Sequence, residues 1–316
     1  RLNRAGRRVS HLPMASAHPT SILSASELLA RIVLAQQRCI LAQVPGVPAG
    51  DDPEPLHRMR TSTRRLRAVL KLSRGVMPRR ERRLLNDELA WLARCLGPVR
   101  DLDVMIAELP RLLGPVVSGP HDASMTSLTD WLAERRLLAR APLGATLAGP
   151  RFEWLLSLLT DASVSPHRRK ASLPAATLLR PRLLEQLRLF EAQAGTLSTA
   201  SSSDDLHRVR ILNKRLRYGC ELAQPVLPTA VFASTLDIPH DLLGAHQDAV
   251  VAGAIIREFQ ATRPAPAQPI LDAWQAALLQ QAAGLRLDFF AQLPRVIQVL
   301  GDPAHPQEGS LAAALA

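Results

Sequence analysis

Cysteine is scarce. The chain has 316 residues and only Cys39, Cys95 and Cys220, which lie far apart and form no C-x-x-C pair. That argues against a disulfide framework or a cysteine zinc site and suits a reducing, cytoplasmic setting. Aromatics are 3% of the residues, and Tyr218 is the only tyrosine. Proteins that grip single-stranded nucleic acid stack bases on exposed aromatics, so that mode is poorly served. Lysine is nearly missing: among 39 Lys+Arg, only Lys71, Lys170 and Lys214 are lysines. No run of about twenty apolar residues occurs, so no transmembrane helix is expected. No segment shows the period-two alternation of a half-buried strand. The basic residues 1–20 precede an apolar stretch interrupted by Glu27 and Arg31, which argues against a secretory signal.

What is present is arginine and helical periodicity. The net charge is +11 and the pI about 11.0. Such a balance calls for an acidic partner: nucleic acid, another polyphosphate or anionic lipid. Arginine's planar fork suits phosphate oxygens.

The charge is concentrated in Leu56–Leu72, LHRMRTSTRRLRAVLKL, which recurs as Leu206–Leu222, LHRVRILNKRLRYGCEL. His57 and His207 stand 150 residues apart, and the same offset pairs Arg60 with Arg210, Arg64 with Lys214, Arg65 with Arg215 and Arg67 with Arg217. Leu56, Met59, Thr63, Leu66 and Leu70 form one helical stripe. Shifted by one residue, His57, Arg60, Arg64, Arg67 and Lys71 form a second, about 100° around the helix. The second copy reads His207, Arg210, Lys214, Arg217 and then Glu221. Acids precede both copies, at Asp51, Asp52 and Glu54 and at Asp204 and Asp205, where they suit the positive end of a helix dipole.

A charge run on a helix is commonly a solvated face. Here cations one turn apart, at about 5–6 Å, repel by about 0.7 kcal/mol per pair in water and about 3 kcal/mol at an effective dielectric near 20. Solvated helices relieve this with acids at i±4, yet no acid lies between Leu56 and Arg80. An unrelieved ladder, duplicated in register, reads as an anion site.

Taken in order, a first helix is expected over Ser21–Gln43, then the basic helix to Arg74. A third helix, Arg79–Leu96, carries Arg79, Arg80, Arg82 and Arg83 and stops at Gly97–Pro98. A fourth runs from Arg100 to Leu113, with others over Met125–Leu138 and Arg151–Leu159. Residues 163–174 are a basic linker between halves. The plan then restarts with Leu178–Ala194, the second basic helix to Ala223, Val231–Leu243 stopped by Gly244, Gln247–Thr262 and Leu271–Leu293. The expectation is an all-α fold: two antiparallel bundles of four-helix type, over 21–162 and 163–300, related by a pseudo-twofold repeat. Residues 1–20 are expected to be disordered and 301–316 a flexible tail.

A second motif repeats. Leu96-Gly97-Pro98-Val99-Arg100-Asp101-Leu102-Asp103 aligns with Leu243-Gly244-Ala245-His246-Gln247-Asp248-Ala249-Val250, so Asp101 and Asp248 stand 147 apart. A D-x-D pair can hold a divalent metal and so suggest phosphoryl transfer. Residues i and i+2 diverge on a helix, however, and the second half keeps one acid of the two. A dipole-stabilised first turn in which one acid anchors an arginine of the basic helix accounts for it better. No metal and no cofactor are expected.

H-x-x-R-x-x-x-R-R-L-R at His57–Arg67, E-L-x-W-L-A-x-x-L-G-x-x-R-D-L-D-V at Glu88–Val104 and the second H-x-x-R-x-x-x-K-R-L-R-Y resemble the CHAD family, the α-helical domain named for its histidines. The resemblance covers roughly residues 20–300. It implies two four-helix bundles with a basic central surface that binds inorganic polyphosphate without catalysis, associated with cytoplasmic polyphosphate granules. No CYTH barrel pattern accompanies it, so a stand-alone form is expected. Carried over, the binding positions are His57, Arg60, Arg64, Arg65 and Arg67, and His207, Arg210, Lys214, Arg215 and Arg217, with Lys71 and Arg100 added. Gln247 and Glu221 depart from the first-half pattern and put the outer rungs of the second half in doubt. Nucleic-acid binding is the second reading, and a metal-dependent polyphosphate hydrolase the third.

Overall fold

A computed structural model describes residues 23–114, 123–164, 172–262, 268–301 and 307–315. The expected disorder of residues 1–20 lies outside the described residues. Among those described, the chain is all α-helical with no strand. In order, the helices are α1 (Ala25–Gln43), α2 (Gly46–Ala49), α3 (Glu54–Leu72), α4 (Arg79–Leu113), α5 (Ala123–Arg140), α6 (Leu143–Leu147) and α7 (Pro150–Val164). They continue as α8 (Ala175–Gly195), α9 (Ser203–Ala223), α10 (Ala230–Thr235), α11 (Asp237–Gln260), α12 (Gln268–Leu300) and α13 (Leu311–Leu315).

The basic stretches are α3 and α9. Helix α9 starts with a reciprocal cap: Ser202 Oγ accepts from the Asp205 amide at 3.2 Å, and Asp205 accepts from the Ser202 amide at 3.0 Å. Helix α3 starts with Pro53 as N-cap and Pro55 in its first turn, and Asp52 Oδ1 accepts from the Glu54 amide at 2.8 Å.

Three cores hold the molecule. The first joins α1, α3, the first half of α4, α6 and α7 around Met59, Leu66, Leu89, Leu92 and Leu155. The second joins α8, α9, α10, the start of α11, the end of α12 and α13 around Leu183, Phe190, Val209 and Leu216. The third is built by both halves of the sequence: Leu109 and Leu113 of α4, Leu128 and Leu132 of α5, Ile256 and Phe259 of α11, and Leu271 and Trp274 of α12. Helices α3 and α9 sit in different cores and touch each other along a seam.

Two expected helix breaks do not occur. Helix α4 runs unbroken through Gly97–Pro98. Proline inside a helix costs about 3 kcal/mol, but Leu92, Leu96 and Val99 are fully buried on either side of it. At roughly 1.5–3 kcal/mol per buried side chain, that burial outweighs the proline. Helix α11 likewise runs through Gly244. A mid-helix glycine costs about 1 kcal/mol, and buried Leu243, His246 and Ala249 hold the helix together.

The tail expected to be flexible contains α13, whose Leu311 and Ala312 are fully buried against the second core. Arg180 of α8 donates to the Ala314 carbonyl at 2.9 Å. Five residues are too few for periodicity to declare a helix, so tertiary packing alone makes it. The basic linker expected at 163–174 lies partly outside the described residues. At its described end, Ala25 N donates to Leu173 O and Ala175 N to Leu23 O, both at 2.9 Å, tying the starts of α1 and α8 together.

Candidate anion-binding site

Along the seam, the two cationic stripes face each other. Arg64 of α3 crosses to α9, donating from Nη2 to Tyr218 Oη at 2.6 Å, with its guanidinium 5.5 Å from the ring centroid. Arg217 lies 5.0 Å from the same centroid. The one tyrosine is thus a buried platform between two arginines from the two repeats.

Lys214 stands at the centre. Burial, then Arg210, then Arg64 push its ammonium down to about 7, against only the opposing pull of Asp248. Arg210 is lowered by burial, with Asp248 pulling it up and Arg64 pushing it down. His240, from the first turn of α11, is driven down to about 3 by burial and by Arg217, Lys214, Arg210 and Arg64. A neutral imidazole therefore faces four cations. The Nε atoms of Arg67, Arg210 and Arg217 and Nδ1 of His240 are buried with no hydrogen-bond partner in the protein. Farther along, Lys71 is pushed down to about 8 by burial and by Arg215, Arg67 and Arg74.

Some predicted rungs are already occupied. Arg60 donates to the Gly97 carbonyl at 3.0 Å and pairs with Asp101 at 3.2 Å. It thereby steadies α4 beside Pro98, and it is the arginine expected to be anchored by the D-x-D turn. In the second half the corresponding Arg210 feels the attraction of Asp248. Arg217 pairs with Glu221 at 2.7 Å and Asp237 at 3.2 Å. Arg65 is exposed, 3.9 Å from Glu221. His207 Nδ1 lies 3.0 Å from Gln247 Oε1, so the residue that departs from the first-half arginine holds the histidine. Half-buried His57 and Arg100 lie on α3 and α4, and exposed Arg215 on α9 faces Lys71.

Asp101 and Asp103 are held apart by different arginines. Asp103 is buried and bonded to Arg136 of α5, while Asp101 faces Arg60. Among the described residues no group of three or more His, Cys, Asp or Glu could hold a metal ion.

Sequence reasoning omitted Tyr218 and His240. Tyr218 carried a signal: it is the lone tyrosine and directly follows K-R-L-R. His240 carried none, because at the 147-residue offset its counterpart is Ala93.

The class is therefore all-α, with two basic helices, α3 and α9, meeting along a cation-rich seam. The chain belongs to the CHAD domain family, whose profile matches residues 31–257. It is similar to the crystal structure of the CHAD domain from the plant Ricinus communis, at 25% identity and a TM-score of 0.69 over 89% of this chain and 98% of that one. It also shares its fold with PptA from Streptomyces chartreusis, at 22% identity and a TM-score of 0.60 over 87% of this chain and 98% of that one. A search of curated proteins found no match. Among the described residues no helix is long and apolar enough to cross a membrane.

Proposed function

We propose that this protein binds inorganic polyphosphate non-catalytically, along the seam between two pseudo-twofold-related helical bundles that carry α3 and α9. The observation that carries this reading is Lys214. It is half-buried among Arg210, Arg64 and Arg217 with one carboxylate, Asp248, in opposition. A desolvated excess of positive charge is costly until an anion neutralises it. An extended polyanion would follow the seam from Arg64 and Lys214 toward Arg67, Arg215 and Lys71, taking bidentate grip from the arginines. Membership of the CHAD family supports this ligand and, with it, association with polyphosphate granules. The repeated Arg60–Asp101 and Arg210–Asp248 relationships support the pseudo-twofold arrangement.

Titration calorimetry with long-chain polyphosphate at about 0.15 M salt tests this, comparing the parent with Arg64→Gln/Arg67→Gln/Lys214→Gln. The variant, folded by circular dichroism, should bind at least tenfold more weakly. Equal affinity, or displacement of polyphosphate by duplex DNA at equal phosphate concentration, would overturn the reading. So would phosphate release with Mg²⁺ or Mn²⁺ overturn its non-catalytic part.

A further inference from the structure

At the far end of the α3 ladder the chain turns into α4 and opens a cleft of about 400 Å³. Leu70, Lys71, Arg74, Arg79, Arg82, Arg83 and Asn86 line it. Sites for small molecules commonly measure about 300–1,000 Å³ and are mostly apolar. This one is of that size but is walled by five cations, so it fits a compact, highly charged anion.

Its cations reinforce one another. Arg82 is half-buried, and burial together with Arg74, Arg79 and Arg182 disfavours its charged form. The Nε atoms of Arg82 and Arg182 are buried without a protein partner. No acid among the described residues lines it: exposed Glu185 lies 3.7 Å from Arg74 and 3.9 Å from Arg182, and exposed Asp87 lies 3.9 Å from Arg83. Lys71 belongs both to the cleft and to the last rung of the ladder, so the cleft continues the seam.

We propose that this cleft is a separate subsite for a terminal di- or triphosphate group, and that on a long chain it holds the end. This rests on the seam binding polyphosphate. An interior phosphate of such a chain carries about one charge, whereas a terminal phosphate has a second ionisation near pH 6 and carries nearly two at pH 7. A five-cation cleft at the end of a ladder thus discriminates ends from interior units. A free short polyphosphate presents the same chemistry.

The test is calorimetry on the full chain with three probes: tripolyphosphate, long-chain polyphosphate, and the same long chain with its terminal phosphates blocked as phosphoramidates. The variant is Arg79→Gln/Arg83→Gln, both on the exposed start of α4. Tripolyphosphate should bind the parent and bind the variant at least tenfold more weakly. End-blocking should weaken long-chain binding to the parent several-fold and leave the variant unchanged. A variant-sensitive tripolyphosphate site with no effect of end-blocking assigns the cleft to a free short polyphosphate. Tripolyphosphate that binds both proteins equally, or neither, overturns the subsite. If long chains bind in that case, the seam reading stands without it. A parent that binds tripolyphosphate in a variant-sensitive way but does not bind long chains overturns the seam reading and leaves the cleft.

Discussion

Arg64 and Tyr218 join the two repeats: the guanidinium of one basic helix donates to the phenol of the other at 2.6 Å. Tyr218→Phe keeps the ring between Arg64 and Arg217 and removes only the acceptor. It should lower stability by about 1 kcal/mol, read as a shift in the urea midpoint. Tyr218→Leu also removes the platform and should cost more. Equal effects of the two substitutions would place the whole contribution in the hydroxyl.

Lys214 makes stability depend on pH. Its folded value of about 7 lies below the ordinary 10.5, so between those values the folded chain binds fewer protons than the unfolded one. Stability without anion should therefore rise with pH across that window, by on the order of 2 kcal/mol between pH 7 and 9. Lys214→Met should flatten the rise. A parent profile that falls over this range would contradict the desolvated lysine.

The same lysines should take up protons when a polyanion binds. Neutralising Arg210, Arg64 and their neighbours returns Lys214, at about 7, and Lys71, at about 8, toward the ordinary amine value. At pH 8 binding should absorb roughly one proton. Calorimetry in buffers of different ionisation heat measures this directly. Heats that do not vary with buffer would show that neither lysine faces the ligand.

Asp101 weakens the seam electrostatically while bracing Arg60. It is two-thirds exposed, and an exposed pair of this kind contributes roughly 0–1 kcal/mol. Asp101→Asn should thus leave the thermal midpoint within a few degrees and tighten polyphosphate binding. Weaker binding would mean that the pair positions Arg60 for the ligand.

Salt dependence separates rungs that touch phosphate from rungs that brace helices. Arg67→Gln should weaken polyphosphate binding and reduce the slope of log affinity against log salt by about one. Arg60→Gln should change the slope less, because Arg60 is engaged by Gly97 and Asp101.

Much of this was legible in the chain. The cationic stripes are local, since 3.6-residue periodicity places His57, Arg60, Arg64, Arg67 and Lys71 together whatever α3 packs against. The cap of α1 is equally local, a capping box between Ser24 and Glu27. Pro98 and Gly244 misled, because propensity carries no knowledge of the burial that keeps α4 and α11 continuous. His240 was hidden, as was the engagement of Asp103 by Arg136 across α4 and α5, because neither repeats.

The sequence by itself determined an all-helical chain with two in-register basic helices, because helix periodicity and charge order are properties of neighbouring residues. Only the tertiary structure decided which cations have partners. Asp101 reaches Arg60, Asp237 reaches Arg217 and Tyr218 reaches Arg64 from distant positions in the chain. Lys214 is left with one carboxylate among three arginines. Charge compensation depends on distance in space and on lost water, and neither is written along the chain.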